Sequence, residues 1–168
     1  MPEKLSNLPK TLRHFLAAFL LLLSIATSVG LIFINETTAI APEGISEHYN
    51  GSDISGDEFD IPESYPKSVK EMLLNTHNHL FGFAFIFLSV GILFFFNSII
   101  SGFWKYLLMV EPFFSVILTF GGLWLLRFAN PMFVYLVIIF AILTYLSFFL
   151  MVFVLLYELL IKKEKIST

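Results

Sequence analysis

The chain has 168 residues, enough for one domain, and 57% of them are hydrophobic, with a mean hydropathy of +0.83. A water-soluble domain of this size would expose too much apolar surface, so the composition indicates a membrane protein. Only 14% of the residues are charged, the formal net charge is −3, and no basic segment is interleaved with aromatic residues, which argues against nucleic acid as a partner. Without cysteine the chain has no disulfide, thiolate metal site, iron–sulfur cluster or c-type haem attachment.

Four stretches are long and apolar enough to cross the bilayer as helices, because about 20 apolar residues span its hydrocarbon core. They are residues 15–34, 80–100, 106–126 and 132–157. The alternation of polar and apolar residues that a transmembrane strand requires is not visible, and a helix satisfies its own backbone groups in lipid. The sequence therefore predicts an all-α membrane protein with a single integral membrane domain over residues 1–168. This domain is a four-helix transmembrane bundle with an outer loop over residues 35–79.

The first stretch has some features of a secretory signal peptide. Basic residues precede it, and Ala39-Ile40-Ala41 resembles a cleavage site. However, the apolar run is longer than that of a signal peptide, and Pro42 would follow the cut, which is unfavourable. We therefore expect this stretch to remain as a membrane span.

The distribution of Lys and Arg predicts the topology, because cytoplasmic segments carry an excess of these residues. With the N-terminus inside, seven basic residues lie on the inner side: Lys4, Lys10, Arg13, Lys105, Lys162, Lys163 and Lys165. Three lie on the outer side: Lys67, Lys70 and Arg127. We expect a multi-pass protein of a bacterial inner membrane, with both termini in the cytoplasm and residues 35–79 outside.

The outer segment contains several residues that are typical of turns: Pro42, Gly44, Asn50-Gly51, Gly56 and Pro62. Pro66 is suited to the first turn of a helix, so the second helix is predicted to begin near it and to project beyond the membrane. Residues 35–62 are expected to pack on this projection. The later connections, residues 101–105 and 127–131, are short and favour antiparallel neighbours.

The four histidines are candidate ligands, because imidazole binds haem iron and many other metals. His48, His77 and His79 lie on the predicted outer side, whereas a span of about 30 Å separates them from His14. On a continuous helix His77 and His79 point in different directions, since residues two apart differ by about 200°. We expect His77 to face the bundle, because it continues a stripe of apolar residues, and His79 to face the loop or a partner subunit.

His48 and a helix histidine could hold a b-type haem at the outer surface, with Arg127 bound to a haem propionate or an anionic lipid. The same residues could instead bind copper or zinc through His48, His77 and His79, with Glu47 or Glu71 as a fourth ligand. In a third interpretation these histidines only cap helices and form hydrogen bonds at the interface, and the protein has no cofactor.

Two acidic residues lie in or beside the apolar stretches. Glu111 is costly in a membrane and must face protein or water, so it is a candidate for a proton relay or a quinone site. Alternatively, Glu111 could pair with Lys105 near the interface, or it could be a protonated acid bonded to a neighbour. Glu158 stands four residues before Lys162, a spacing typical of a surface ion pair on a helix.

The outer segment and the start of the second span resemble a family of small four-span bacterial membrane proteins. The resemblance is carried by Thr37-Thr38, Pro42, Gly44-Ile45, His48-Tyr49, Gly51, Tyr65-Pro66-Lys67 and Thr76-His77-Asn78-His79-Leu80-Phe81. It implies a bacterial inner membrane and proximity to respiratory electron-transfer proteins, and it supplies no catalytic residues.

The sequence favours a subunit that binds haem or a metal at the outer face and is accessory to a respiratory electron-transfer complex. The alternative is a structural or assembly subunit without cofactor. Both predict a lipid bilayer and a larger membrane complex or homo-oligomer as partners. Apart from Glu111, the sequence contains no group of residues that would support an enzyme or a channel. The inverted repeats of many transporters are not visible either.

Overall fold

The computed structural model describes residues 5–52 and 64–162. Within these ranges the chain forms five α-helices: α1 (Lys10–Thr38), α2 (Pro42–Asn50), α3 (Val69–Phe95), α4 (Gly102–Phe128) and α5 (Val134–Leu160). Short 3₁₀ turns precede α1 and α5. The long helices α1, α3, α4 and α5 are apolar enough to cross a membrane. The predicted all-α membrane bundle is therefore confirmed.

Helix α5 lies at the centre of the bundle and packs against α1, α3 and α4. Its buried side chains Phe148 and Met151 belong to the same core as Phe87 and Val90 of α3. The Trp124 indole N–H of α4 donates to the Thr76 hydroxyl of α3 at 2.9 Å. Helices α3 to α5 thus form one packed unit.

Helix α1 is attached to this unit at its edge. Its main neighbours are α5 and α2, and it contributes the buried Ala17 and Leu20 to the core. Large apolar side chains on its other faces, such as Leu22 and Phe33, are about two-thirds exposed. In a bilayer these faces would contact lipid, which is an ordinary surface for a membrane helix.

The observed helix α2 replaces part of the predicted outer loop. The expectation of turns at Pro42 and Gly44 was wrong, because Pro42 occupies the first turn of a helix and Gly44 lies inside it. A β-carbon at Gly44 would stand 2.9 Å from the carbonyl carbon of Thr38. The glycine therefore permits α2 to fold back tightly on the end of α1.

The other expectations for the outer segment have mixed outcomes. The turn at Asn50-Gly51 is confirmed, since Gly51 ends α2 with a φ of 87°. Gly56 and Pro62 lie outside the described residues. Helix α3 begins at Val69, three residues after Pro66, where Ser68 and Glu71 form a capping box. It still begins well before the apolar stretch at residue 80, as predicted.

Candidate functional site

One end of the bundle carries a folded cap, which we define as α2 together with residues 64–68. The Lys67 amide donates to the Tyr49 carbonyl at 2.9 Å, and the Asn75 side-chain amide of α3 donates to the Tyr49 hydroxyl at 3.4 Å. The Nε of Arg127, at the end of α4, donates to the Lys67 carbonyl at 2.9 Å. Side chains of α3 and α4 thus tie the cap to the bundle, as expected for an outer segment packed on the second helix.

The two ends of the undescribed segment 53–63 are held together. The Ser52 amide donates to the Ser64 carbonyl at 3.0 Å, and the Ser64 amide donates to the Ser52 hydroxyl at 3.0 Å. This pair of bonds joins Ser52, which follows α2, to Ser64, the first residue of the cap segment 64–68.

His48 lies on α2 and is half-buried, with its ring 5.1 Å from that of Tyr49. Burial lowers the pKa of His48, and the positive charge of Lys67 lowers this pKa further. The imidazole is therefore biased towards its neutral form, which is the form that binds a metal.

The two helix histidines do not point as predicted. His77 is exposed, and its ring packs 4.9 Å from Phe81 of the same helix. His79 is also exposed, but its ring lies 5.2 Å from Phe120 of α4. The expectation that His77 faces the bundle was wrong, because the turn of α3 brings His79, two residues later, to the α4 side.

The tautomer of His79 follows from its environment. Its Nδ1 lies 2.8 Å from the Asn75 carbonyl oxygen, which can only accept a hydrogen bond. Nδ1 is therefore the nitrogen that donates in this hydrogen bond. The same arrangement orients many histidines that bind metals.

Across the two described ranges, no group of three or more His, Asp or Glu side chains is close enough to hold a metal ion. A copper or zinc site formed by His48, His77 and His79 with Glu47 or Glu71 is not assembled there, and the Glu71 carboxylate instead accepts hydrogen bonds from Ser68. A haem bound by two histidines stays a prediction, as does a propionate contact by Arg127. His14 is exposed at the opposite end of the bundle.

Glu111 bonds to two serines inside the bundle. Its carboxylate accepts a hydrogen bond from Ser115 of the same helix and another, at 2.6 Å, from Ser147 of α5. Both serines are buried. The alternative pairing with Lys105 was wrong, because the Lys105 ammonium donates to the carbonyls of Phe95 and Asn97 at 3.0 and 2.8 Å. A role for Glu111 in proton transfer or quinone binding stays a prediction.

Glu158 is fully buried, so the expectation of a surface pair with Lys162 was wrong. Its carboxylate accepts hydrogen bonds from the Ser98 amide at 2.8 Å and the Ser98 hydroxyl at 2.5 Å. The Lys162 ammonium reaches the same hydroxyl at 2.7 Å. The sequence interpretation missed Ser98, because it placed this residue inside the predicted span 80–100, whereas α3 ends at Phe95.

We call this end of the molecule the basic end and define it by Arg13, Lys105 and Lys162. Arg13 of α1 donates from Nε to the Leu159 carbonyl of α5 at 2.7 Å. All three cations thus bind main-chain or hydroxyl oxygens, and Glu158 is the carboxylate that shares a partner with one of them. Cations near the end of a helix also stabilise its unsatisfied carbonyl groups.

Four apolar helices, a core that they share and a polar cap at one end define a multi-pass integral membrane protein of the all-α class. The chain belongs to the Aq_1264_TM family, a transmembrane helical domain, whose model matches residues 39–166. The matched region begins directly after α1 and contains α2 to α5. No curated protein and no solved structure matches the chain.

Proposed function

We propose that the protein is a non-catalytic helical subunit that assembles with a larger complex in a bacterial inner membrane through its cap. The observation that carries this proposal is the attachment of the cap to both α3 and α4, through Asn75 and Arg127. A segment fixed in this way presents a defined surface to a partner, so little ordering entropy is lost on binding. In the proposed orientation both termini are cytoplasmic and the cap is external, as the Lys and Arg distribution favours.

The charges of the cap region favour a partner with a basic surface. Glu36, Glu43 and Glu47 are exposed, and within the described ranges the one ion pair joins Lys67 and Glu71. The adjoining sequence 53–63 adds five acidic residues. Exposed carboxylates that lack an ion-pair partner in the described chain can steer and orient a basic partner at low cost.

Charge reversal in α2 tests this proposal. We expect Glu43→Lys with Glu47→Lys to shift the tagged protein to a smaller native size when membranes are solubilised in mild detergent and separated by native electrophoresis. The matched control is Glu43→Asp with Glu47→Asp, which keeps both charges and should keep the native size. An unchanged complex in the reversed variant would contradict assembly through the cap.

A b-type haem is a second candidate, and the hydrogen bond of His79 to Asn75 favours it. This bond occupies Nδ1, so Nε2 is the ring nitrogen that could bind iron, and the nearby Phe120 ring offers an apolar surface for a macrocycle. The second axial ligand would come from His48 or from a partner subunit. The copper or zinc alternative would need a ligand in addition to the described residues.

An absorption spectrum with metal analysis of the purified full-length protein separates these candidates. A haem subunit should show a Soret band that is lost in His79→Ala and kept in His77→Ala. His77 is a matched control, because it is equally exposed on the same helix but packs against Phe81. A sample with neither a Soret band nor stoichiometric metal would contradict the haem and metal candidates and would support the cofactor-free assembly subunit.

A further inference from the structure

An apolar groove of about 330 Å³ runs along the outside of the bundle between α3 and α4. Its volume falls within the range of ligand pockets, about 300–1,000 Å³. Phe87, Phe95 and Phe113 are among the side chains that line it. Leu88 and Ile92 form exposed parts of its wall, so the groove opens sideways, where a bilayer would lie.

Gly91 creates part of this space. A β-carbon added at Gly91 would meet no atom within 4 Å, which means that the groove continues above its backbone. The β-carbon position of Gly91 therefore opens into the groove, so a side chain added there would enter it.

One end of the groove lies at the basic end of the molecule. Phe95 and Phe96 line the groove, and the carbonyls of Phe95 and Asn97 hold the ammonium group of Lys105. An ammonium group has three N–H donors, and these carbonyls use two of them. Lys105 is thus fixed beside the groove, and its third N–H forms no hydrogen bond within the described residues.

The charge of the basic end is not balanced within the described residues. Arg13, Lys105 and Lys162 are three basic side chains, whereas Glu158 is the one carboxyl that shares a partner with them and is itself fully buried. The one ion pair in the described ranges lies at the other end, in the cap region. A basic site at the end of a lipid-facing groove is complementary to an anionic headgroup.

We propose that this groove is a phospholipid site, in which an acyl chain lies against Gly91 and an anionic headgroup phosphate binds Lys105. Lipid tails are as apolar as the groove, so the acyl chain can fill the groove but contributes little to the choice between one lipid and another. The selectivity for an anionic lipid comes from the ammonium group. The exposed Phe103 and Trp104 beside Lys105 are aromatic residues of the kind that lie at headgroup level.

Titration of the delipidated full-length protein in detergent, followed by native mass spectrometry, tests the site. Phosphatidylglycerol should bind about fivefold more tightly than phosphatidylcholine with the same acyl chains, the preference expected for one lysine near a membrane surface. Lys105→Gln should remove this preference. Glycerol phosphate, which has the headgroup charge without the tail, should not compete at equal concentration.

Two glycine variants test the groove independently of the charge. Gly91→Leu fills the groove and should weaken the binding of both lipids, whereas Gly82→Leu should leave both affinities unchanged. Gly82 is a matched control, because its added β-carbon also meets no atom within 4 Å and it lies on the same helix outside the groove. Equal binding of the two lipids by the unmodified protein, or an unaffected Gly91→Leu variant, would overturn the proposal, and neither result depends on the folding of Lys105→Gln.

Discussion

Glu158 and Ser98 are joined by two hydrogen bonds, since the amide and the hydroxyl of Ser98 both donate to the Glu158 carboxylate. This pair connects the last turn of the central helix α5 with the connection between α3 and α4. The carboxylate is completely buried at this position, so no solvent molecule can replace it as an acceptor without a rearrangement.

Removal of the Glu158 carboxylate should destabilise the bundle. Glu158→Ala leaves the Ser98 amide without its acceptor and should lower the free energy of unfolding by about 1–3 kcal/mol. Thermal unfolding in a mild detergent measures the change. Glu47→Ala removes an exposed carboxylate from α2 and should change this stability by about 0.5 kcal/mol or less. Equal effects of the two variants would contradict the structural role of Glu158.

The neighbouring glycines of α4 should respond differently to the same substitution. A β-carbon at Gly122 would lie 2.6 Å from Leu136 Cδ2 and 3.0 Å from Val137 Cγ2, whereas one at Gly121 would meet no atom within 4 Å. Gly122→Ala should therefore cost about 1–3 kcal/mol through overpacking between α4 and α5. Gly121→Ala should be neutral or slightly stabilising, because alanine is the better helix former. The two midpoints of thermal unfolding give the comparison directly.

Glu111 and Ser147 should be energetically coupled. Because their hydrogen bond joins α4 and α5 inside the bundle, Glu111→Ala and Ser147→Ala should each lower stability, and the double variant should lose less than the sum. Coupling energies of this kind in a membrane protein average about 0.6 kcal/mol and reach about 1.7 kcal/mol. A double-mutant cycle of unfolding free energies measures the coupling. Strict additivity would show that the bond contributes nothing to helix association.

The stability of the cap should depend on pH through His48. Burial, and secondarily Lys67, lowers the pKa of His48 in the folded cap below its ordinary value of about 6.5. The unfolded cap therefore binds the proton more tightly, so stability is complete above pH 6.5 and falls as the pH decreases towards the lowered value. Amide hydrogen exchange in α2 between pH 7.5 and 5, corrected for the intrinsic exchange rate, should report this loss. It should be absent in His48→Gln and unchanged in His14→Gln, which alters an exposed histidine at the other end.

The membrane spans could be predicted from the sequence because their signal is local. A run of about 20 apolar residues reports its own environment without knowledge of any partner. Helix α2 could not be found in the same way, since Pro42 and Gly44 are typical of turns and also suit a helix start and a close approach to Thr38. The start of α3 was within reach, because Ser68 and Glu71 stand at the spacing of a capping box.

The partners of individual polar side chains could not be predicted, because they come from distant parts of the chain. The spacing of Glu158 and Lys162 suggests an ion pair on one helix. Instead, both side chains form hydrogen bonds with Ser98, which lies in the connection between α3 and α4. The orientation of His77 and His79 likewise depends on where α4 lies against α3, and helical periodicity alone favoured the wrong histidine.

The position of α1 has a consequence for biosynthesis. Its main partner in the bundle is α5, and Arg13 near its start binds the Leu159 carbonyl near the end of α5. The ribosome makes α5 last, so at about 5–20 residues per second the first helix waits on the order of ten seconds for its partner. During this interval α1 must be stable in the bilayer by its own hydropathy, and its apolar stretch is among the strongest in the chain. The insertion machinery therefore has to retain or release α1 as a lone helix before the bundle can close around α5.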